Sequence, residues 1–406
     1  MNYDVIVVGA GPAGSTAARE CAARGLSVLM LDRAEFPRDK PCGGGVTVRA
    51  SKMLPFSIDS VLERVITDLH LTYKQSNGFT RRSEEEVVSM TQRRNFDTLL
   101  VEKAVQAGAT LRERAQVVQI TRDAAGVEVE TEDESFSGSV LVAADGANGK
   151  TSTMAGIQPK VCRQVALEGN VTPAGGIPAQ WETTFGVDIG GMPGGYGWIF
   201  PKRDHLNIGI GGWRYAGPTL RDRLTGLVKF YGYRGEDLWG LRGHYLTIRQ
   251  PDSPLADGNA LLVGDAAGLV DPITDEGIYS AIWSGRAAAG HIAAYVGGEA
   301  ADLSGYRYEV ERDLVPELRI SRRFHDLFHL SPWLYLWIER RSSLVWALAR
   351  RLLRGDQTYL NVMLKHRVTG TAIDFASDLV RITPVLQRRS GLRDPAPPQR
   401  FFVREA

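Results

Sequence analysis

The sequence predicts an α/β protein: a Rossmann-type nucleotide-binding domain, an inserted, mainly antiparallel β-sheet and a helical C-terminal region. Three observations carry this. A β–turn–α–β unit with G-x-G-x-x-G in its turn fills residues 5–32; two further buried strands end in Asp-Gly and Gly-Asp pairs at 145–146 and 264–265; and residues 181–213 interleave aromatics with glycine. At 406 residues the chain is too long for one compact core, and length alone suggests about two domains.

In the first unit the apolar run Val5–Val8 leads into Gly9-Ala10-Gly11-Pro12-Ala13-Gly14, and a helix-compatible stretch follows from Ser15 to Arg24. Gly25 ends that helix, and a second apolar strand, Ser27–Leu31, runs into Asp32. Gly9 permits the tight turn, Gly11 lets backbone approach a pyrophosphate, and Gly14 lets helix and strand pack closely. The helix N-terminus offers unpaired N–H groups to the phosphates, and Asp32 suits a ribose hydroxyl. The strand Val140–Ala144 ends in Asp145-Gly146, which taken alone also reads as a hairpin turn. Ala260–Val263 runs into Gly264-Asp265 in the same way, and a helix starts near Gly277.

Composition excludes several classes. Forty-three per cent apolar and 23% charged residues are ordinary for a globular protein and exclude intrinsic disorder. A net charge of +1 argues against nucleic acid as the main partner. The apolar run at residues 3–8 is too short for a signal sequence or a span, and Leu327–Leu353 is cut by Glu339, Arg340 and Arg341, so a soluble or peripheral cytoplasmic protein is expected. Three cysteines (Cys21, Cys42, Cys162) make no disulfide framework and point to a reducing compartment. Cys21 and Cys162 read as structural. His325 and His329 are four apart on a helix without a third ligand, so no metal site is expected.

The three glycine–aspartate segments, in this order, resemble the flavin-binding signatures of the FAD-dependent oxidoreductases that include the aromatic hydroxylases. In that group the Gly-Asp carboxylate meets the ribitol, and the next helix N-terminus faces the flavin pyrimidine edge. Two further motifs narrow the resemblance. Lys40-Pro41-Cys42-Gly43-Gly44-Gly45 follows a loop containing Phe36-Pro37-Arg38, and Pro193–Pro201 reads P-x-x-Y-x-W-x-F-P. With Arg93 and Phe96-Asp97-Thr98-Leu99-Leu100, and with Gly355-Asp356-Gln357-Thr358-Tyr359 near the C-terminus, they resemble the geranylgeranyl reductase family, whose members saturate isolated double bonds of polyprenyl chains.

The resemblance implies FAD held by Gly9, Gly11, Pro12, Ala13, Gly14, Asp32, Arg33, Cys42, Gly43, Gly44, Arg93, Val117, Asp145, Gly146, Gly264, Asp265, Pro272, Gly277 and Ile278. It implies an apolar chain lying along Tyr196, Trp198 and Phe200, which at period two share one face of one strand. The same alternation also fits an ordinary core face. Tyr196 and Trp198 are candidates for stabilising positive character at an alkene carbon. Cys42 is either a nucleophilic or proton-relay group beside the flavin, or a small apolar filler. One departure stands out: where the family reads P-x-T-G-E-G, this chain has Pro272-Ile273-Thr274-Asp275-Glu276-Gly277, with Asp275 at the first glycine.

The expected FAD-binding domain is discontinuous: residues 1–70, 91–160 and 245–300. Strand-like Asp68–Tyr73 and Glu86–Met90 join residues 161–244 in the substrate sheet, which gives a substrate domain of 71–90 and 161–244, and residues 301–406 are helical. From Glu311 to Ala406 there are 17 Lys/Arg against 10 Asp/Glu, with Trp333, Tyr335, Trp337 and Trp346 among arginines. Such a segment either lies on an anionic bilayer or caps the substrate domain. The Pro-rich tail 393–404 reads as flexible. No second G-x-G-x-x-G is present, so the reductant is either NADPH docking transiently or a small electron-transfer protein. The competing readings are a flavin monooxygenase or halogenase of the same fold, whose W-x-W-x-I-P segment residues 196–201 approach imperfectly, and a non-catalytic prenyl escort.

Overall fold

The computed structural model describes residues 2–76 and 78–365; the tail 393–404 lies outside them. The core of the nucleotide-binding layer is a sheet in which Asn2–Val8 pairs in parallel with Val28–Leu31 on one side and Ser135–Ala143 on the other. Thr110–Arg112 and Ala260–Leu262 extend it, again in parallel. Val5, Ile6, Val7, Leu29, Met30, Leu141 and Val142 are all buried, because a parallel sheet is covered on both faces. An antiparallel hairpin, Val117–Arg122 with Val127–Thr131, continues from the long Ser135–Ala143 strand.

Helix Pro12–Ala22 packs on both Ile278–Val296 and Arg93–Gln106. The first of these crossings depends on small residues. A Cβ at Gly285 would lie 2.4 Å from the Ala13 carbonyl oxygen, so only glycine allows the two backbones to touch.

The second layer is a seven-stranded sheet in the order Trp239–Arg249, Val161–Val171, Leu206–Trp213, Tyr196–Pro201, Thr184–Ile189, Asp68–Tyr73, Phe79–Arg81. Every neighbouring pair is antiparallel except Thr184–Ile189 with Asp68–Tyr73. One face carries Val171, Ile199, Ile208 and Ile210 and is sealed by Leu224, Leu227 and Val228 of helix Leu220–Phe230. The opposite face, with Tyr196, Trp198 and Phe200, turns toward the nucleotide-binding layer.

Two expectations from the sequence are corrected. The strand foreseen at 86–90 is Val88–Thr91, and it does not join the seven-stranded sheet. It pairs with Gly45–Thr47 and Leu62–Ile66 in a separate three-stranded sheet. All four of its residues are buried; Phe185 and Trp346 cover the face that carries Val88, Met90 and the neighbouring Ile66. Nor does the seven-stranded sheet end at residue 244: Trp239–Arg249 is one strand, still in register with its neighbour from Tyr245 opposite Val165 to Arg249 opposite Val161. Helices Ser304–Glu309, Val315–Leu330, Pro332–Arg341, Ser343–Arg354 and Tyr359–Lys365 follow, as the sequence suggested, with a π-helical stretch at Val310–Leu314.

The nucleotide turn is the tightest point of the first layer. A Cβ at Gly14 would sit 1.9 Å from the Gly9 carbonyl oxygen, whereas one at Gly11 would meet only the Arg38 Nη2 at 3.6 Å. Gly14→Ala is therefore expected to destabilise the apoprotein by about 1–3 kcal/mol. Gly11→Ala should cost less than about 1 kcal/mol, chiefly from a poorer N-cap. The midpoints of urea denaturation for the two variants check this ordering.

Candidate active site

The turn at Gly9–Gly14 is built to take an anion. Gly9 is at φ +97°, and a side chain there would strike the Ala144 carbonyl oxygen at 2.5 Å. Gly11 caps the helix without a side-chain hydrogen bond and Pro12 occupies its first turn, so the N–H groups of that turn stay available. Asp32 fixes the turn from below: its Oδ2 accepts from Ala10 N at 2.8 Å and its Oδ1 from Ala34 N at 2.9 Å. Arg33 beside it is exposed. Val117 follows Ala115, whose N–H donates to the Asp32 carbonyl at 2.9 Å, so it stands at the same end of the sheet.

Cations carried by the motifs, Arg38, Lys40 and Arg93, lie over this cleft. Arg38 reaches toward Gly11 and pairs with Asp97 at 3.1 Å. Asp97 is also held by Arg93 in a two-pronged pair at 2.7 and 2.8 Å. Burial alone would raise the Asp97 pKa, but Arg93, Arg38 and Lys40 together outweigh it and keep the carboxyl below its ordinary range. Lys40 stands 3.9 Å from Asp265, near Gly146, which is at φ +79°. A Cβ at Gly277 would lie 3.0 Å from the Asp265 Oδ1, so Asp265, Lys40 and the start of the helix at Ile278 converge. Gly264, at φ +56°, packs against Ala13 and ties this group to the first turn. Asp145 faces differently: its Oδ2 accepts from Thr151 N at 2.9 Å and Thr151 Oγ1 at 2.7 Å, while its buried Oδ1 has no partner.

The two specific motifs of the sequence meet in space. A Cβ at Gly43 would lie 2.6 Å from the Phe200 ring and 3.3 Å from the Trp198 Nε1, so the glycine run is seated directly on the aromatic strand. Gly44, at φ +67°, comes equally close to the Thr91 carbonyl. Trp198 is fixed by its indole N–H donating to Asn207 Oδ1 at 2.8 Å, and Tyr196 by its hydroxyl donating to the Thr274 carbonyl at 2.6 Å. Phe200 meets Phe185 edge-on at 5.5 Å. Opposite Tyr196 and Trp198 stand Gly211 and Gly209, with Ala166 across from Gly211, and Asn207 stands opposite Phe200. Aromatic walls over side-chain-free backbone leave a flat, apolar strip.

Polar groups that the motifs did not mark surround this strip. Cys42 N–H donates to Glu168 Oε1 at 2.8 Å, and Gly44 N–H points to the Cys42 Sγ at 3.4 Å. The Arg93 guanidinium also reaches the Cys42 sulfur. Lys202 Nζ donates to the Gly43 carbonyl at 2.6 Å and the Thr91 carbonyl at 2.9 Å. Burial pushes Glu168 up to about 7 and Lys202 down to about 8, with each charge only partly restoring the other. His244 lies on the same sheet face; burial, and then the Lys40 charge, lower it to about 4, and its Nε2 has no partner. A hint to Lys202 was available, since it directly follows the aromatic motif. Glu168 and His244 sit in strands whose alternation gives no cue to which face matters.

The donor set fits FAD. The free N–H groups and Gly9–Gly14 cradle suit a pyrophosphate, the helix start at Ile278 suits a developing negative charge, and the unpartnered His244 Nε2 and Asp145 Oδ1 border the cleft.

Comparison with known proteins agrees. The family described as "FAD binding domain" matches residues 2–184. The chain is 32% identical to the geranylgeranyl diphosphate reductase of Rhodobacter capsulatus over 346 residues, 82% of this chain and 85% of that one. It is 33% identical to digeranylgeranylglycerophospholipid reductase 1 of Methanopyrus kandleri over 71% of this chain and 80% of that one. A geranylgeranyl bacteriochlorophyll reductase-like protein from Thermoplasma acidophilum shares the fold with a TM-score of 0.69 at 22% identity, over 96% and 95% of the two chains. The chain belongs to the geranylgeranyl reductase family of FAD-dependent oxidoreductases.

Proposed function

We propose that the protein saturates isolated C=C bonds of a polyprenyl, geranylgeranyl-type chain carried on a lipid, quinone or pigment precursor. The observation that carries this reading is the seating of Gly43 on Trp198 and Phe200. It brings the loop after the nucleotide turn flush with an apolar strip suited to a flat stretch of isoprenoid chain. The eight- and three-stranded sheets with their helices form the cofactor-binding half, and the seven-stranded sheet forms the substrate half.

Bound FAD supplies a hydride after reduction by NADPH or a small electron-transfer protein. The cofactor residues named above would hold it: Gly9–Gly14 and Arg38 would receive the pyrophosphate, and Lys40, Asp265, Gly277 and Ile278 the ribitol and ring. Tyr196 and Trp198 present π faces to the alkene, which has no carbonyl to accept charge. Cys42, beside Arg93 and Glu168, contacts the reacting region from the Phe200 end. A Glu168 raised toward neutrality suits a strip that must hold hydrocarbon, while the Lys202 ammonium is spent on the Gly43 and Thr91 carbonyls.

A peripheral contact with an anionic bilayer belongs to the same reading. Among the described residues no helix is long and apolar enough to cross a membrane. Helix Pro332–Arg341 nevertheless has two apolar faces. Leu336 packs inward near Leu71 and Ile189, while Trp333, Leu334, Trp337 and Ile338 are exposed by 56, 42, 51 and 37%, and Leu344 of the next helix by 77%. Arg340, Arg341 and Arg351 are exposed beside them, giving the charge that an anionic lipid surface complements.

Three measurements test this section. Anaerobically reduced protein mixed with a geranylgeranyl substrate should yield product heavier by one dihydrogen per reduced bond; oxygen- or halogen-containing product would instead support a monooxygenase or halogenase. Cys42→Ala should slow single-turnover flavin reoxidation by that substrate about ten-fold or more, and an unchanged rate would remove Cys42 from the mechanism. Full-length protein should co-sediment with vesicles containing phosphatidylglycerol, and Trp333→Ser combined with Trp337→Ser should weaken this about ten-fold.

A further inference from the structure

Asp275, the departure from the family pattern, gains a role that rests on the reductase reading. It stands at φ +55°, in the left-handed region that glycine enters freely and other residues enter at a cost of about 1 kcal/mol or more. Packing does not repay the strain. Its Oδ1 is buried without a hydrogen-bond partner, a loss of about 1–3 kcal/mol for a neutral polar group and more for a charge. A purely structural loop would be better served by glycine.

The surroundings point to a proton. The Asp275 carboxyl lies within hydrogen-bonding reach of the Gln164 side chain and faces Tyr196. The Gln164 amide is oriented by its Nε2, which donates to the Gly194 carbonyl at 2.9 Å, and its Oε1 is also buried and unpartnered. Gln164 and Asp275 thus each leave one buried acceptor oxygen without a donor, and a hydrogen carried by the carboxyl supplies one. The other nearby charges agree. Burial and then the Asp271 carboxylate push the Asp275 pKa well up, and the Gln164 hydrogen bond, which acts the other way, offsets this only in part. Glu276, on the same loop, is engaged by Arg49 at 3.3 Å. From the helix behind, Ser321 donates to Asp271 at 2.7 Å, and His325 turns its Nε2 to the Gly194 carbonyl at 3.3 Å. No cation is among the groups acting on Asp275.

On the same sheet face Gln164 is followed by Ala166, and Tyr196 lies opposite Gly211, so the carboxyl stands at the Tyr196 end of the apolar strip. We propose that Asp275 is the general acid of the reduction, handing its proton to one carbon of the alkene. The Asp275 O–H bond breaks and the alkene π pair makes the new C–H bond. The positive character left on the other carbon, facing the Tyr196 and Trp198 rings, is quenched by the hydride that reduced FAD supplies. The Asp275 carboxylate is then reprotonated from solvent, and the electron pair is replaced by a nicotinamide or electron-carrier reductant.

Asp275→Asn and Asp275→Gly, the second restoring the family residue, test this. Infrared spectra of the wild-type protein without substrate at pH 7 should contain a protonated-carboxyl C=O band that Asp275→Asn lacks, a readout independent of turnover. Asp275→Asn should lower the rate of alkene reduction about 10²–10⁴-fold with FAD still bound. The sign of the pH effect follows from an acid that works protonated. Wild-type turnover should fall as pH rises through the raised Asp275 pKa, and this alkaline limb should vanish in the residual activity of Asp275→Asn while persisting in Cys42→Ala. Absence of the carboxyl band, or Asp275→Gly turning over within about three-fold of wild type, a loss far below that of a general acid, overturns the proposal. A wild-type protein that reduces no polyprenyl substrate overturns the reductase reading itself. The band then shows whether the carboxyl was protonated all the same, which separates the two failures.

Discussion

A buried lysine holds the site together. The Lys202 ammonium, 3% exposed, spans the Gly43 and Thr91 carbonyls and so joins the seven-stranded sheet, the three-stranded sheet and the Cys42–Gly45 loop at one atom. It leaves the aromatic strand at Pro201, grips the cofactor-side loop and pins the three-stranded sheet. Removing an ammonium from water is costly, and two carbonyls with a nearby carboxylate offset the cost only in part, which is why its pKa falls to about 8. With the loop held, Gly43 meets Phe200, and the Cys42 N–H can reach Glu168. The contacts of the Cys42–Gly45 loop with the aromatic strand follow from this placement, while Tyr196 reaches the Thr274 carbonyl on its own.

The electrostatics around the strip share one direction. Desolvation dominates at Glu168, Lys202, His244 and Asp275, and in each it favours the uncharged form. Charge is concentrated instead at the phosphate end, where Arg38, Arg93 and Asp97 compensate one another. One cleft thus passes from an ionic end to a hydrocarbon-compatible end within a few residues of the Lys40–Gly45 loop. A molecule with a polar head and an apolar tail meets matching surroundings at both.

Much of this was legible in the sequence, because glycine and period-two aromatics report backbone requirements directly. The Gly9–Gly14 turn, the parallel strands and the helix from Ile278 lie where the pattern put them, and Asp275 was visible as a misfit before its φ was known. What escaped is tertiary. Val88–Thr91 reads as a buried strand, but pattern does not tell which sheet receives it. Glu168 and His244 become significant only once their strands are paired and one face is turned to the cofactor layer. The exposed side of Pro332–Arg341 was hidden for a similar reason, since an all-round apolar helix does not announce which side its neighbours cover.

The chain passes between the sheets repeatedly: from Ile66 into Asp68, from Arg81 back to Val88, from the strand ending at Ala143 through Ile157 to Val161, and from Arg249 to Ala256. Such stitching has a mechanical consequence. Two layers sewn together at four places, with Asp68–Tyr73 threaded into the far sheet early in the chain, cannot swing apart on a single hinge. The spacing between the Lys40–Gly45 loop and the Tyr196–Phe200 face is therefore set by the path of the chain itself.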